Sequence, residues 1–179
     1  MNGKHGAHPK THYLKPGEIH VTSEPSLITT VLGSCLCLTM HHKPTGLSVI
    51  CHAVMPRRSE ARIKDDGGKS IFQYVDSSLE WMIAQYEKNG IEPSSVEVKM
   101  FGGAALFTDF GPTAKELGVG KRNVETAIQL IKNKRLKLTA WNVGGNRGRK
   151  LIFNTLTGEV LARFILKSGI SQISSGVKK

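Results

Sequence analysis

The sequence predicts an α/β fold: a single layered domain, mixed β-sheet with helices packed on its faces. Three observations carry that expectation. Apolar runs of strand length recur between Gly- and Pro-containing breaks through most of the 179 residues. Two other segments repeat apolar side chains at helical spacing. These helical segments are interleaved with the strands, as in a layered α/β domain. The chain divides into a leader over residues 1–11, expected to be disordered, a folded domain over 12–167 and a polar tail over 168–179. One domain of this length can enclose a sizeable core.

Leu27 to Met40 and Leu47 to Val54 read as strands, joined by the turn-forming stretch Lys43 to Gly46. A helix is expected from Ser70, because Ile71, Val75, Leu79, Met82 and Tyr86 fall on one face and Asn89 with Gly90 supplies a stop. Val96, Val98 and Met100 alternate with Glu97 and Lys99 in a half-buried strand that runs into Gly102 and Gly103. A second helix begins near Gly120, with Val124, Ala127, Ile128 and Ile131 as its apolar face. Leu136 to Val143, Lys150 to Phe153 and Val160 to Leu166 complete the strands. The last two are joined by a hairpin-length turn, in which Gly158 is available for positive φ.

No apolar run reaches the roughly 20 residues of a membrane-spanning helix, so membrane insertion is not expected. The N-terminus lacks the apolar region of a secretion signal. Three cysteines, an odd number and few for the length, fit a reducing cytoplasm better than a disulfide scaffold. The net charge of +11 favours anionic partners. Aromatic residues make up 6% and do not interleave with the basic clusters as a base-stacking surface requires, which argues against nucleic acid. A solvated basic face is the plain reading, and an acidic protein partner comes next. The seven histidines show no spacing with cysteine or carboxylate that closes a metal site, so neither metal nor cofactor is expected.

The chemistry concentrates in two places. Cys35 follows Gly33 and Ser34, a pair that lets the backbone turn tightly and expose a sulfur. His52 is the lone histidine of the next apolar run. Should the two runs pair, thiol and imidazole can meet: a nucleophile for a carbonyl carbon, and a base to take its proton and return it. Backbone N–H groups of the turn could form an oxyanion hole. The plain alternatives are a buried cysteine filling space and a core histidine. Cys37 and Cys51 read as packing residues; Cys51 should face away from His52, and Cys37 should share a face with Cys35.

Across nearly its whole length the chain resembles the chemoreceptor glutamine deamidases, the CheD proteins of bacterial chemotaxis. The likeness begins at Tyr13 to Glu18 and runs through Leu32 to Cys35, His52 to Pro56, Phe101 to Ala104 and Gly120 to Val124. It closes with Val143 to Arg149 and Thr157-Gly158. The resemblance implies a cytoplasmic hydrolase of carboxamide C–N bonds that converts receptor glutamines to glutamate and releases ammonia. It implies Cys35 and His52 as catalytic residues and Thr29, six positions before the cysteine, as a threonine that assists them; the adjacent Thr30 competes for that assignment. Gly33 and Ser34, with Gly102 and Gly103, are expected to line the approach of the substrate. Arg147 and Arg149 are expected either to contact an acidic receptor helix or to sit in solvent.

The chain departs from the family pattern at three places. His41, His42 and Lys43 stand where an aspartate is usual, Asn142 where an acidic residue is usual, and Cys51 where Asn or Ala is common. None of these removes Cys35, His52 or Thr29. The resemblance implies methyl-accepting chemotaxis receptors as partners, and a CheC-type phosphatase as an alternative partner on which a non-catalytic adaptor would dock. A basic nucleic-acid module and a cysteine peptidase are the other rivals.

Overall fold

The computed structural model describes residues 9–60, 71–105 and 118–165. Nine strands and two α-helices follow one another as β1 (Lys10–Tyr13), β2 (Ile19–Thr22), β3 (Ser26–Leu32), β4 (Leu36–His42), β5 (Leu47–Ala53), α1 (Val75–Lys88), β6 (Glu97–Gly102), α2 (Val119–Asn133), β7 (Lys137–Val143), β8 (Arg149–Asn154) and β9 (Val160–Phe164). They form two mixed sheets. One has the order β1-β3-β8-β9, the other β2-β5-β4-β6-β7. The pairs β1–β3 and β6–β7 are parallel, and the remaining neighbours are antiparallel.

Three layers result. Leu79, Met82 and Tyr86 of α1, with Ala127 and Ile131 of α2, pack on Leu38, Met40, Val49, Val98 and Met100 of the five-stranded sheet. The opposite face of that sheet meets the four-stranded one through Ile28, Leu32, Cys37, Ile50, Phe101, Leu151 and Phe153. Helices thus cover one sheet face, and a second sheet covers the other. Strands β4 and β5 lie between both layers, which is why they read as continuous apolar runs and why all of β5 is buried. Strand β3 has one covered face, so burial alternates: Ser26, Ile28, Thr30 and Leu32 inward, Val31 exposed.

The expected strand from Leu27 to Met40 is two strands in different sheets. The chain leaves β3 at Leu32, turns through Gly33 to Cys35 and enters β4 at Leu36. Lys10 and Thr11, placed by the sequence in the leader, belong to β1, which pairs alongside Ser26 to Thr29. Strand β2 was not foreseen, because four residues alternating Ile-His-Val-Thr give too short a signal. Ile128 is 47% exposed and not part of the buried face of α2; Gly120, Asn123, Ala127 and Ile131 are. The helix expected from Ser70 starts later: Ile71–Gln73 form a separate 3-10 turn, Tyr74 is extended and α1 begins at Val75. The first eight residues, Ser70 itself, the strand end at Leu166 and the tail lie outside the described residues.

Both helix ends reverse through a left-handed residue. At α1 it is the expected Gly90 (φ 68), and Ile91 N–H returns to the Tyr86 carbonyl at 3.0 Å. At α2 it is Arg135 (φ 52), and Leu136 N–H returns to Ile131 at 2.9 Å. Gly102 (φ 108) does something else: a Cβ there would lie 2.2 Å from the Cys35 carbonyl oxygen. Backbone approaches backbone, so nothing flexible can yield. Gly102→Ala is therefore expected to lower stability by about 3 kcal/mol or more, through strain and overlap together. Gly90→Ala, with nothing within 4 Å of the added methyl, pays only the left-handed conformation, about 1 kcal/mol. Urea denaturation midpoints of the two variants test that ranking.

Candidate active site

Strand pairing decides who meets whom. The run before the cysteine, β3, pairs with β1 and β8 and not with β5. The run after it, β4, pairs with β5 and sets Cys37 opposite His52 and Leu36 opposite Ala53. Cys35 lies just beyond the end of that ladder, two residues before Cys37, and its side chain packs against the inter-sheet core to which Cys37 belongs. Cys51 lies in the helix-side core, on the other face of β5, as expected.

The turn from Gly33 to Cys35 is held through its carbonyls. Gly33 accepts from Ala104 N–H at 2.9 Å, Cys35 from Gly103 N–H at 2.8 Å, and Ser34 from the Asn123 amide at 3.0 Å. Gly33, Ser34 and Cys35 themselves remain part-exposed. Gly102 and Gly103 are buried beneath them, which corrects the expectation that these two line the substrate's path. Their function is the close approach that keeps the turn in place.

His52 is almost wholly buried, at 1% exposure. Its backbone is bracketed by the loop after β1: Gly17 N–H donates to its carbonyl at 2.8 Å, and its own N–H donates to Glu18 at 3.0 Å. Its ring reaches across the layers to β3, where Nδ1 lies 2.8 Å from the Thr30 hydroxyl. That hydroxyl has one proton, and it is given to the Leu14 carbonyl, also at 2.8 Å. The oxygen must then accept from Nδ1–H, which leaves Nε2 as the unprotonated nitrogen. Nε2 is buried and has no partner among the described residues.

The threonine beside the histidine is therefore Thr30, not the expected Thr29. Thr29 sits on the alternate face of β3, level with Tyr13 and Ile152 of its neighbours. The clue was parity: Ile28, Thr30 and Leu32 share the inward face, but Leu27 and Val31 are apolar too and obscured it.

Burial acts on the ionisable groups in opposite senses. It raises the Cys35 thiol above its ordinary value, and the residue's own backbone N–H draws it partly back. It lowers the His52 imidazole, against which the Leu14 carbonyl and the Glu18 charge act. Both shifts favour the uncharged forms, a thiol and a neutral imidazole. Cys37 and Cys51 are fully buried, and desolvation pushes Cys51 up to about 12. Cys35 is the one part-exposed thiol of the three.

Arg149 is buried rather than solvated or free for a partner. Its guanidinium donates to Asn142 Oδ1 at 2.7 Å and to the carbonyls of Asn142 and Gly144, tying β8 to the end of β7. Burial lowers it to about 10, so it stays charged at neutral pH. Arg147 is exposed, its guanidinium 4.6 Å from the Phe164 ring centre. A cavity of about 640 Å³ lies elsewhere, lined by Leu27, Glu97, Lys99, Thr139, Asn154 and Glu159 among others; Cys35, His52 and Thr30 are not in its wall. No group of three or more metal-ligating side chains occurs among the described residues, and no helix among them is long and apolar enough to cross a membrane.

Two consequences are measurable. Thr30→Val leaves a buried imidazole N–H short of its acceptor and should cost about 1–2 kcal/mol, whereas Thr29→Val should change stability by less than about 0.5. Urea denaturation of both variants separates the assignments. The lowered His52 value gives a sign as well. Its contribution is complete above the ordinary 6.5 and is lost as pH falls through the depressed folded value, because the unfolded chain takes up a proton the buried ring resists. The midpoint should drop on acidification below about 6.5, and less so in His52→Gln.

The comparisons with known proteins concern the same chain. The family model described as "CheD chemotactic sensory transduction" matches residues 54–164. A Geobacter sulfurreducens protein named "Probable chemoreceptor glutamine deamidase CheD 2" is 44% identical over 163 residues, 91% of this chain and 94% of that one. The "Probable chemoreceptor glutamine deamidase CheD" of Maridesulfovibrio salexigens is 35% identical, over 83% and 88% of the two chains. That of Thermococcus kodakarensis is 34% identical, over 82% and 88%. The family model starts after Cys35 and His52, but the 91% coverage leaves too few residues unmatched to exclude either. By the extent of the model match and by these relatives, the chain belongs to the CheD family.

Proposed function

We propose that this protein is a cytoplasmic protein-glutamine deamidase, which converts glutamine side chains of chemoreceptor cytoplasmic helices to glutamate and releases ammonia. The observation that carries the reading is the contact of His52 Nδ1 with Thr30, whose own hydroxyl is bound to Leu14. Thr30 and Leu14 hold the proton on Nδ1, and Nε2 is left as a base on the inter-sheet face that Cys35 shares. The names of the relatives state the same activity for those proteins.

In this reading Cys35 Sγ attacks the carboxamide carbon while His52 Nε2 takes the thiol proton. Burial favours the neutral pair, so transfer accompanies attack and does not precede it. Backbone N–H groups of the turn from Gly33 to Cys35 donate to the developing oxyanion in this reading. The imidazolium returns its proton to the departing nitrogen, ammonia leaves, and a thioester remains. A water deprotonated by Nε2 then attacks the thioester carbon; glutamate and the free thiol are released. The surplus of cations on the chain suits receptor helices rich in glutamate.

Mass spectrometry of a chemoreceptor cytoplasmic fragment after incubation with the protein tests the reading. Glutamine-to-glutamate conversion with release of ammonia is expected, with none for Cys35→Ala and a loss of roughly a hundredfold or more for His52→Ala. Activity should persist on the acid side of 6.5, because the His52 imidazole is lowered. Absence of conversion on cognate receptors by folded protein would sink the reading. The alternative of docking on a CheC-type phosphatase would then stand first.

A further inference from the structure

We propose that Asn123, on the first turns of α2, is a positioning residue for the Cys35–His52 pair; the inference rests on the reading of that pair given above. The β4–β5 ladder ends at Leu36 opposite Ala53. By register the next pair would be Cys35 and Val54, but the chain there is already turning toward the other sheet. No backbone rung joins these two residues. The Asn123 side chain enters that gap. Its amide nitrogen donates to the Ser34 carbonyl and to the Val54 carbonyl, each at 3.0 Å.

One residue of each bond is telling. Ser34 immediately precedes the nucleophile, and Val54 lies two residues beyond the base. A single planar group thus sets the distance between the two chain segments that carry the chemistry. Two facing carbonyls require two N–H donors on one small group, which Asn supplies and Asp, Ser or Leu does not. Asn123 is fully buried, and its Oδ1 has no partner among the described residues. A buried oxygen left without a donor is unfavourable, so the side chain is justified by its two donors. The helix is brought close enough by glycine: a Cβ on Gly120 would fall 2.7 Å from the Gly103 carbonyl, and Gly103 N–H is the group that holds Cys35.

Alkylation of Cys35 by iodoacetamide near neutral pH, followed peptide by peptide, reads this without any receptor. Four proteins are compared: native, His52→Ala, Asn123→Ala and the double variant, each with its thermal midpoint. His52→Ala is expected to slow alkylation about tenfold. Asn123→Ala should slow it about as much, and adding it to His52→Ala should change the rate no further, because the help it secures is already gone. Asn123→Ser, which keeps one donor, should fall between and replaces the alanine variant if that one does not fold. If Asn123→Ala reacts at the native rate, or slows both backgrounds equally, Asn123 is an ordinary structural residue and the proposal fails. If His52→Ala itself reacts like the native protein, the pair reading fails and the proposal with it.

Discussion

The organisation of the site depends on one backbone contact. Gly102 and Gly103 lie directly against the carbonyl of Cys35. That approach lets the chain pass from one sheet to the other within the three residues Gly33 to Cys35 and still reverse into β4. A side chain at Gly102 would hold the two backbones apart. Because the crossing is so short, Thr30 on one sheet and His52 on the other end within one hydrogen bond, although 22 residues separate them. The inter-layer core of Ile28, Leu32, Cys37, Ile50 and Phe101 then keeps water from the ring.

The same enclosure sets the charge state. Desolvation disfavours a thiolate and an imidazolium alike, and no carboxylate makes a direct hydrogen bond to either group among the described residues. Among the three cysteines, depth decides which can react. Cys37 faces the same way as Cys35 and lies opposite His52, yet it is sealed; Cys51 is sealed on the other face. Only at the turn does the chain leave the sheet enough for a sulfur to be part-exposed. Position on the crossing, more than any special neighbour, distinguishes Cys35.

Much of this was legible in the sequence, and the rest was not for identifiable reasons. The strands β5 to β9 and both helices follow from period, Gly90 and the hairpin at Gly158, since those signals are local. Cys35 and His52 stood out through a Gly-Ser turn and a lone histidine. The split of Leu27–Met40 did not, because the apolar residues resume at Leu36, Leu38 and Met40 after only Gly33 to Cys35, a break as short as a bend within one strand. Thr30 was obscured by apolar residues on both faces of β3. The burial of Gly102, Gly103 and Arg149 depends on which distant backbone lies above them, which no local pattern encodes. Asn123 left one trace, a polar residue among Gly120, Val124, Ala127 and Ile131 on the buried side of α2.

A hydroxyl as the orienting group, where many nucleophile–base pairs use a carboxylate, has a chemical consequence. A carboxylate both fixes the tautomer and stabilises the imidazolium that forms. Thr30, whose own proton is committed to Leu14, fixes the tautomer but adds little stabilisation of the cation. Serine requires that help, because its hydroxyl is a very weak acid; a thiol requires far less. An imidazolium left unsupported in a buried site is also the stronger acid. In the proposed deamidation the second proton transfer goes to a departing amide nitrogen, a poor leaving group until protonated, so a more acidic His52 would favour that step. Glu18, whose carboxylate is bound to Lys15 N–H at 2.8 Å, acts on the ring through space and not by contact. The fold thus supplies orientation through a neutral contact and leaves the Glu18 carboxylate engaged with Lys15 instead of the ring, an arrangement that suits sulfur as the nucleophile in the proposed reaction.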